Sequence, residues 1–347
     1  MTDSGRIVLA VDGGNSKTDV ALVREDGQLL GHARGGVSSP HHIGLRASVE
    51  LLQELYDRAA ARAGLDGVVA DVAQILLAGL DFPAEEDQLR DAVAPLRWAH
   101  AVHVANDTFA ILRAGTERGW GVAVVCGAGI NCVGVAPDGR HARFPALGAI
   151  TGDWGGGYDL GLAALGAAVR SEDGRGPRTT LEHIVPAHFG LRTPVELVES
   201  IHHGQIALGR LTELAPLVLA AAQQDAAAGA LVDRLVTEIV TFARVALTRL
   251  ELTAEAVEVV LGGGILQDAD GPLLEAIRTR MAELGDRLEV RTTAAPAVAG
   301  AALLGLDELG AGERAQARAR AELTAAVGVA VSSSELAGVT SEGPDDG

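Results

Sequence analysis

Short apolar runs and longer amphipathic segments alternate along the first third of the chain. Ile7–Val11, Thr18–Val23 and Leu29–Arg34 are rich in aliphatic residues and are separated by glycine-containing turns, which predicts three strands. Leu45–Ala63 has apolar residues at helical spacing and Pro83–Val93 begins with proline followed by acids, so both are predicted helices. Two further strands and one helix are predicted at Val72–Ala78, Val102–Ala105 and Thr108–Ala114.

The same succession of strand, glycine turn, strand, Asp-Gly turn and strand starts again about 113 residues further on. Gly121–Val125 and Cys132–Ala136 flank a turn of small residues, and His141–Phe144 follows a second hairpin signal at Asp138-Gly139. A repeated supersecondary pattern of this kind predicts a duplicated α/β domain with a glycine turn in each copy.

The remainder of the chain is mainly helical and gives the expected domain boundaries. We predict an N-terminal domain at 1–116 and a C-terminal domain at 117–294, which carries a helical insert at 158–252. Residues 311–347 predict a weak helix and then a disordered tail, because their composition becomes rich in Ser, Gly and Asp. The last strands and helices are expected at Val257–Leu261, Pro272–Leu284, Leu288–Val290 and Ala295–Leu306.

Charge and cysteine content exclude several classes of function. The 347 residues include 28 Lys and Arg against 46 Asp and Glu, a formal net charge of −18, whereas nucleic acids and anionic membranes bind basic surfaces. Cys126 and Cys132 are the two cysteines, too few for a disulfide scaffold or a four-cysteine metal site within one chain. With no signal-peptide pattern and no apolar run of ~18 residues, we expect a cytoplasmic protein.

The turn after the first strand, Asp12–Thr18, has the residue types that hold phosphate. Glycines let the backbone approach phosphate oxygens, and serine, lysine and threonine add donors. Asp12 at the strand end is a candidate for holding hydrated Mg²⁺. An ordinary hairpin turn is the alternative interpretation. The candidate nucleotide contacts in this turn are Gly13, Gly14, Asn15, Ser16, Lys17 and Thr18.

Two further glycine stretches predict nucleotide contacts. One repeats the position of the first phosphate turn, and the other follows the strand Val257–Leu261. Close backbone approach to phosphate, adenine or ribose is the functional interpretation, and tight turns or strand-to-helix packing is the structural one. The residues concerned are Gly127, Ala128, Gly129, Gly262, Gly263 and Gly264.

Two carboxylates are candidates for the chemistry of an acceptor hydroxyl. Asp107 comes at a strand end, where it can take a proton from a hydroxyl that attacks phosphorus or can cap the following helix. Asp153 lies in the glycine-rich loop 148–157, where it can hold a sugar hydroxyl or cap the next helix.

Taken in order, the stretches from Asp12 to Gly264 resemble the BadF/BadG/BcrA/BcrD ATPase family, over about residues 6–310. The resemblance implies the actin-like ATPase fold, an α/β architecture of two duplicated ribonuclease-H-like domains that flank an interdomain cleft. It also implies a kinase that uses ATP and Mg²⁺ to phosphorylate N-acetyl-D-glucosamine at the 6-hydroxyl. By the same analogy, a helix at 295–310 packs back on the first domain and a homodimer is favoured.

The resemblance also implies roles for individual residues. Ser16 is expected to face the γ-phosphate, Ala215 to border adenine, and Asp107 to be the catalytic base. The chain departs from the family at Ser39, where an asparagine is usual, and at Trp154, where many members have glutamate. The expected sugar contacts are Ser39, His41, Asn106, Asp107, Asn131, Gly148 and Asp153.

Three alternatives stay open at this point. The same residues suit a kinase for glucosamine, N-acetylmannosamine or glucose. An ATPase activator of a 2-hydroxyacyl-CoA dehydratase would need cysteines for an iron–sulfur cluster shared between subunits, whereas Cys126 and Cys132 lie six residues apart. A non-catalytic sugar sensor would have no need of a base such as Asp107.

Overall fold

The computed structural model describes residues 5–65, 67–267, 271–293 and 295–339, and the chain forms two compact units. Unit 1 comprises Met1–Gly119 and Thr293–Gly347, and unit 2 comprises Trp120–Thr292. Within the described residues, no helix is both long enough and apolar enough to cross a membrane.

The strands, in chain order, are β1 (Ile7–Gly13), β2 (Thr18–Arg24), β3 (Leu29–Gly35), β4 (Ala70–Leu77), β5 (Ala99–Asn106), β6 (Gly121–Cys126), β7 (Ile130–Val135), β8 (His141–Arg143), β9 (Val257–Gly262) and β10 (Leu288–Thr292). The helices are α1 (Pro40–Ile43), α2 (Leu45–Ala63), α3 (Pro83–Val93), α4 (Thr108–Gly115), α5 (Gly156–Glu172), α6 (Leu181–His188), α7 (Pro194–His202), α8 (Ala215–Ala221), α9 (Ala226–Arg249), α10 (Gly264–Gln267), α11 (Gly271–Ala282), α12 (Ala297–Glu308) and α13 (Glu313–Val339).

The two units repeat one sheet topology. In unit 1 the strand order is β3-β2-β1-β4-β5, with an antiparallel meander of β1 to β3 and with β4 and β5 parallel to β1. In unit 2 the order β8-β7-β6-β9-β10 has the same pattern of directions. The predicted α/β fold class with a duplicated core is therefore confirmed.

The register of the parallel strands brings three chain segments to one edge of the first sheet. Gly13 at the end of β1 is paired with Leu77 at the end of β4, and Leu77 is paired with Asn106 at the end of β5. Residues that follow these strand ends therefore lie side by side, as expected where parallel strands share a carboxyl edge.

Each sheet is covered by helices whose apolar faces are buried. In unit 1, Leu52, Leu55 and Tyr56 of α2 pack on one face of the sheet. On the other face, Val298 and Leu303 of α12 join a second apolar cluster. Unit 2 has a single large cluster that includes residues of β6, β7, β9 and the helices α5 to α11.

The C-terminal segment, for which a helix followed by a tail was predicted, forms the helix α13. α13 continues to Val339, and its residues Ala319 and Leu323 are fully buried in the cluster that contains α12. A polar side chain of α13 also bonds to β3, since Glu322 accepts a hydrogen bond from the Leu29 amide at 2.7 Å. The part of the predicted tail at 340–347 lies outside the described residues.

Asp225, at the N-cap of α9, fixes the helical insert of unit 2. Its carboxylate accepts hydrogen bonds from the amides of Ala227 and Ala228 at 2.9 and 3.0 Å. It also accepts from the hydroxyl groups of Thr179 and Thr180 in the loop before α6, with Oγ1–Oδ2 distances of 2.8 Å for both. Burial opposes ionisation, but these bonds outweigh it and lower the pKa of Asp225 to about 2.

We expect Asp225→Ala to lower the free energy of unfolding by about 2–4 kcal/mol at pH 7, because a cap is lost and the buried Thr179 hydroxyl loses its acceptor. The carboxyl titrates near 3.8 when unfolded and near 2 when folded, so its contribution is present above pH ~4 and is lost as the pH falls towards 2. Urea unfolding at pH 7 and pH 2.5 measures both effects, with Glu199→Ala, an exposed residue of α7, as control. An equal loss at both pH values would contradict this account.

Candidate active site

The first glycine turn joins β1 to β2 and leaves three residues accessible. The Gly14 amide donates to the Lys17 carbonyl at 2.8 Å and closes the turn, while Asn15, Ser16 and Lys17 are exposed. Among the described residues, the amides of Asn15 and Ser16 meet no acceptor. Thus the accessible donors that a phosphate needs are present at the tip of this turn.

Two members of the predicted phosphate turn lie away from its accessible surface. Thr18 is fully buried, and its hydroxyl bonds to the Gly36 carbonyl and the Ser38 hydroxyl, both at 2.7 Å. Gly13 is enclosed by Ser38 and Leu77, where a Cβ would collide. The prediction that the Thr18 side chain contacts nucleotide is corrected: it anchors the loop after β3.

Asp12, at the carboxyl end of β1, is half-buried. Burial raises the pKa of its carboxyl well above the usual value, the negative charges of Asp107 and Asp19 add to the rise, and Lys17 and Arg34 oppose it. Asp19 is itself ion-paired, because Arg34 donates to both of its oxygens at 2.9 Å. A cation placed at Asp12 would offset this unfavourable electrostatic environment.

Asp107 stands at the N-cap position of α4 but does not cap the helix with its side chain. Its backbone carbonyl starts the helix by accepting from the amide of Ala110 at 3.0 Å. Burial, followed by the negative charge of Asp81, raises the pKa of Asp107 to about 7. The Asp107 side chain therefore makes no cap hydrogen bond to α4, and the pKa of its carboxyl lies near neutral pH.

Asn106 was a predicted sugar contact, and the structure assigns its side chain to the scaffold. Only 3% of the residue is exposed. Its amide nitrogen donates to the Leu80 carbonyl at 3.3 Å and to Asp81 Oδ1 at 3.2 Å. Its oxygen accepts from both the amide and the hydroxyl of Thr108, at 3.0 and 2.7 Å. All four hydrogen-bonding positions of the amide are therefore used, and the prediction that Asn106 contacts sugar is corrected.

Asp81 is a residue that the sequence analysis missed. Asp81 lies in the loop after β4, Asp107 directly follows β5, and Asp12 is the next-to-last residue of β1. The three carboxylates therefore lie at the carboxyl ends of neighbouring parallel strands of one sheet. The sequence feature that could have identified Asp81 is its position between a buried strand and the proline that starts α3. Its backbone amide donates to Glu85 Oε2 at 2.8 Å, which fixes the loop.

The loop after β3 holds the predicted contacts Ser39 and His41. Ser39 is fully buried and its hydroxyl has no partner in the described part of the chain, and it lies close to the Gly79 backbone. Because it is enclosed, the hydroxyl does not present a surface to a sugar. His41 is half-exposed, and its Nε2 lies 3.1 Å from Oε1 of Glu85.

In unit 2, the start of α5 supports the second glycine turn. The amides of Gly157 and Tyr158 donate to the carbonyls of Gly127 and Ala128 at 2.8 and 3.0 Å. Gly156 has a φ of +81°, and a Cβ there would collide with Ala128 and Gly129. The backbones therefore approach closely, while Ala128 and Gly129 remain exposed at the tip.

The third glycine stretch packs against the same turn. Gly263 has a φ of +85°, and a Cβ there would lie within 3 Å of backbone atoms of Cys126. Gly262 is buried at the end of β9, and Gly264 is exposed at the start of α10. Tight packing therefore explains Gly262 and Gly263, whereas Gly264 also offers an open face.

Asp153 organises its own loop and does not cap α5. Its carboxylate accepts from the Gly148 amide at 3.0 Å and from the Thr151 hydroxyl. Asp159 instead accepts from the Gly155 amide at 3.0 Å, at the start of the helix. The capping alternative for Asp153 is thus wrong, and its carboxylate remains half-buried beside the loop.

The remaining predicted contacts of unit 2 differ in accessibility. Asn131 is half-buried at the start of β7, where its side-chain oxygen accepts from the Cys132 amide at 2.7 Å. The guanidinium of Arg234 lies 4.0 Å from the centre of the Trp154 ring and covers one face of it. Ala215 is 2% exposed and packs in the core, so its side chain offers no surface to adenine.

Both cysteines, Cys126 and Cys132, are buried. Burial raises the pKa of Cys126 to about 12 and also raises that of Cys132. We therefore expect a thiol titration with Ellman's reagent at pH 8 to detect no reactive thiol in the native protein and two after unfolding in guanidinium. Rapid modification of either thiol in the native state would contradict this expectation.

The described residues contain no group of three or more His, Cys, Asp or Glu arranged to hold a metal ion.

Each unit presents a glycine turn with an exposed tip. Unit 1 adds the carboxylates of Asp12, Asp81 and Asp107 at the carboxyl edge of its sheet, and unit 2 adds the loop of Asp153.

The chain is similar in sequence to two proteins that are named as kinases. An N-acetylmuramic acid/N-acetylglucosamine kinase of Clostridium acetobutylicum is 29% identical over 213 residues, which cover 61% of this chain and 70% of that protein. An N-acetyl-D-glucosamine kinase of Dictyostelium discoideum is 24% identical over 63% of this chain and 72% of its own length.

A crystal structure provides the corresponding fold. A candidate N-acetylglucosamine kinase from Chromobacterium violaceum superimposes with a TM-score of 0.67 at 26% identity, covering 87% of this chain and 99% of that one. The sequence pattern of one family matches residues 9–305, which is most of the chain. The protein therefore belongs to the BadF/BadG/BcrA/BcrD ATPase family.

Proposed function

We propose that this protein is a kinase that transfers the γ-phosphoryl group of ATP to the 6-hydroxyl of N-acetyl-D-glucosamine. The observation that carries the proposal is Asp107, a carboxylate at the end of β5 that makes no capping bond and has a pKa of about 7. The names of the Clostridium and Dictyostelium relatives support a kinase that acts on N-acetylglucosamine, and the Clostridium name also includes N-acetylmuramic acid.

The two glycine turns would bind the phosphates of ATP. Unit 1 supplies the exposed residues Asn15, Ser16 and Lys17, and unit 2 supplies the exposed backbone of Ala128 and Gly129. Backbone amides and an ammonium group are suited to phosphate because they donate hydrogen bonds and carry positive charge. We place the nucleoside near Gly264, whose open face allows close approach.

Asp107 would act as the general base. Its carboxylate accepts the proton of the 6-hydroxyl as the oxygen attacks the γ-phosphorus of ATP, and ADP leaves. Asp153, Asn131 and the backbone at Gly148 would hold the other groups of the sugar. The burial of Asp107 and the charge of Asp81 disfavour the ionised form of its carboxyl group, so the carboxylate accepts a proton more readily.

Mg²⁺ fits this arrangement at Asp12. Its half-buried carboxylate lies near two other negative charges, so a cation there would be stabilised. One protein carboxylate is enough, because Mg²⁺ in kinases takes its remaining ligands from phosphates and water. When bound, the ion would neutralise charge on the phosphates of ATP.

The iron–sulfur activator alternative finds no support in the second unit. Cluster ligands must be thiolates, and both thiols are buried with raised pKa values.

A cytoplasmic location and a homodimer complete the proposal. Sedimentation velocity of the purified protein measures the second of these directly.

The proposed function is tested by a panel of sugars with Mg·ATP, in which ADP release is followed by a coupled assay and the phosphate is located by NMR. We expect the highest kcat/KM for N-acetylglucosamine and a product phosphorylated at O6. Glucosamine, N-acetylmannosamine and glucose are the comparison substrates. ADP release that is independent of sugar, or activity confined to glucose, would overturn the proposal.

The pH dependence of the reaction should report the base. Because Asp107 must be ionised and has a pKa of about 7, we expect kcat/KM for the sugar to fall tenfold per pH unit below pH ~7 and to level off above it. Initial rates between pH 5.5 and 9 at saturating Mg·ATP measure this limb. A profile that is flat down to pH 5.5 would argue against Asp107 as the group that titrates.

A further inference from the structure

Asn106 and Asp81 are neighbouring polar side chains at the carboxyl edge of the first sheet, and they differ in accessibility. A sugar contact was expected from Asn106, the residue before the proposed base, but its amide is buried and fully hydrogen-bonded. Asp81 is half-buried and reaches the surface at the same edge of the sheet. Asn106 therefore holds the carboxylate of Asp81, which follows the neighbouring strand β4, close to Asp107.

We infer that Asp81 is a specificity-determining residue of the sugar site, where its carboxylate accepts a hydrogen bond from the 4-hydroxyl. This inference rests on the proposed function. In a hexopyranose the 4-hydroxyl is the ring hydroxyl nearest to the 6-hydroxyl, so a carboxylate beside the proposed base is suited to bind it.

Three observations support this position for Asp81. Its Oδ1 is held by Asn106 at 3.2 Å, and Asn106 is held in turn by Thr108, the first residue of α4. Its backbone is fixed by Glu85, whose other oxygen lies 3.1 Å from His41. Its charge influences Asp107, so the two carboxylates lie within electrostatic reach of each other. The side chain is thus fixed on both sides, as a residue that selects one stereochemistry must be.

The competing groups at this edge are less suitable. The Ser39 hydroxyl is enclosed against Gly79, and the Asn106 amide has no remaining donor or acceptor. Asp12 lies beside the phosphate turn, with Lys17 and Arg34 near its charge. A charged acceptor also discriminates more strongly than a neutral one, because loss of a hydrogen bond to a charged group costs more.

The test is a cycle of two enzymes and two substrates. Wild type and Asp81→Asn are assayed with N-acetylglucosamine and with its 4-deoxy analogue, and the 4-epimer N-acetylgalactosamine serves as a third substrate. The asparagine keeps the size of the side chain and an oxygen for Asn106, but it places an amide group where the second carboxylate oxygen stood. Asp87→Asn, an exposed position on α3, is the matched control.

We expect the wild type to lose about 10- to 100-fold in kcat/KM when the 4-hydroxyl is removed, as for a hydrogen bond to a charged group. Asp81→Asn should lose a similar factor with N-acetylglucosamine and little more with the 4-deoxy sugar. KM for ATP should not change. The control should behave as wild type with every substrate.

Two outcomes would overturn the inference while leaving the kinase proposal intact. One is a wild-type enzyme that phosphorylates both sugars equally well, a measurement that does not depend on the folding of any variant. The other is an Asp81→Asn enzyme that still prefers the 4-hydroxyl by the wild-type factor, which would leave Asp81 a support for Asn106. A wild type without N-acetylglucosamine kinase activity would instead overturn both proposals.

Discussion

We expect Asp107→Asn to lower kcat for sugar phosphorylation by about 10²- to 10⁴-fold, the usual contribution of a general base. The substitution keeps the shape of the side chain but removes the oxygen that accepts the proton. Sugar binding should persist, so the dissociation constant measured by calorimetry should stay within a few fold of wild type. Initial rates with N-acetylglucosamine and Mg·ATP, measured at pH 8, give the effect on kcat.

The stability of the same variant separates catalysis from folding. The pKa of Asp107 is about 7 in the folded protein and near 3.8 when unfolded, so ionisation between these values costs stability as the pH rises. Asp107→Asn should therefore have a higher melting temperature than wild type at pH 8, with a smaller difference at pH 4.5. Asp87→Asn is the control for both readouts. A variant with activity within threefold of wild type would show that Asp107 is not the base.

Much of the scaffold around Asp107 follows from local sequence. Leu45–Ala63 and Pro83–Val93 are helices with the predicted bounds, because apolar spacing and a proline start are local signals. The glycine turns could also be predicted from local sequence, because some of their positions require glycine. Gly263 is an example, since it has a positive φ and contacts the Cys126 backbone. These features are determined by neighbours in the sequence or by steric exclusion.

The assignment of polar side chains did not follow from sequence in the same way. Thr18 and Asn106 have the right residue types for ligand contacts, but the Thr18 hydroxyl and the Asn106 amide nitrogen bond to partners 18 to 26 positions away in the chain. Conversely, Asp81 gains its place from the pairing of β4 with β5. Whether a polar group faces a ligand depends on long-range pairing, and no local pattern encodes it.

The helix α13 lies wholly outside the part of the chain that matches the family, and its removal should destabilise unit 1. A chain that ends at residue 312 exposes the apolar surface covered by Leu323 and Ala319, both fully buried. It also loses Gln316, which bonds the buried guanidinium of Arg113 at 2.9 Å.

We expect this truncation to cost about 3–5 kcal/mol, since burial of one leucine contributes about 2 kcal/mol and the exposed face of α12 adds to it. Such a loss is a large fraction of the stability of an ordinary domain. Trp98 is the tryptophan of unit 1, so its fluorescence in a Trp120→Phe, Trp154→Phe background follows the urea unfolding of that unit. A chain that ends at residue 339 is the control, because it keeps all of α13. If the two chains unfold at the same urea concentration, α13 is not part of the folded core, and the burial of Leu323 contributes nothing to the stability of the site that Asp107 occupies.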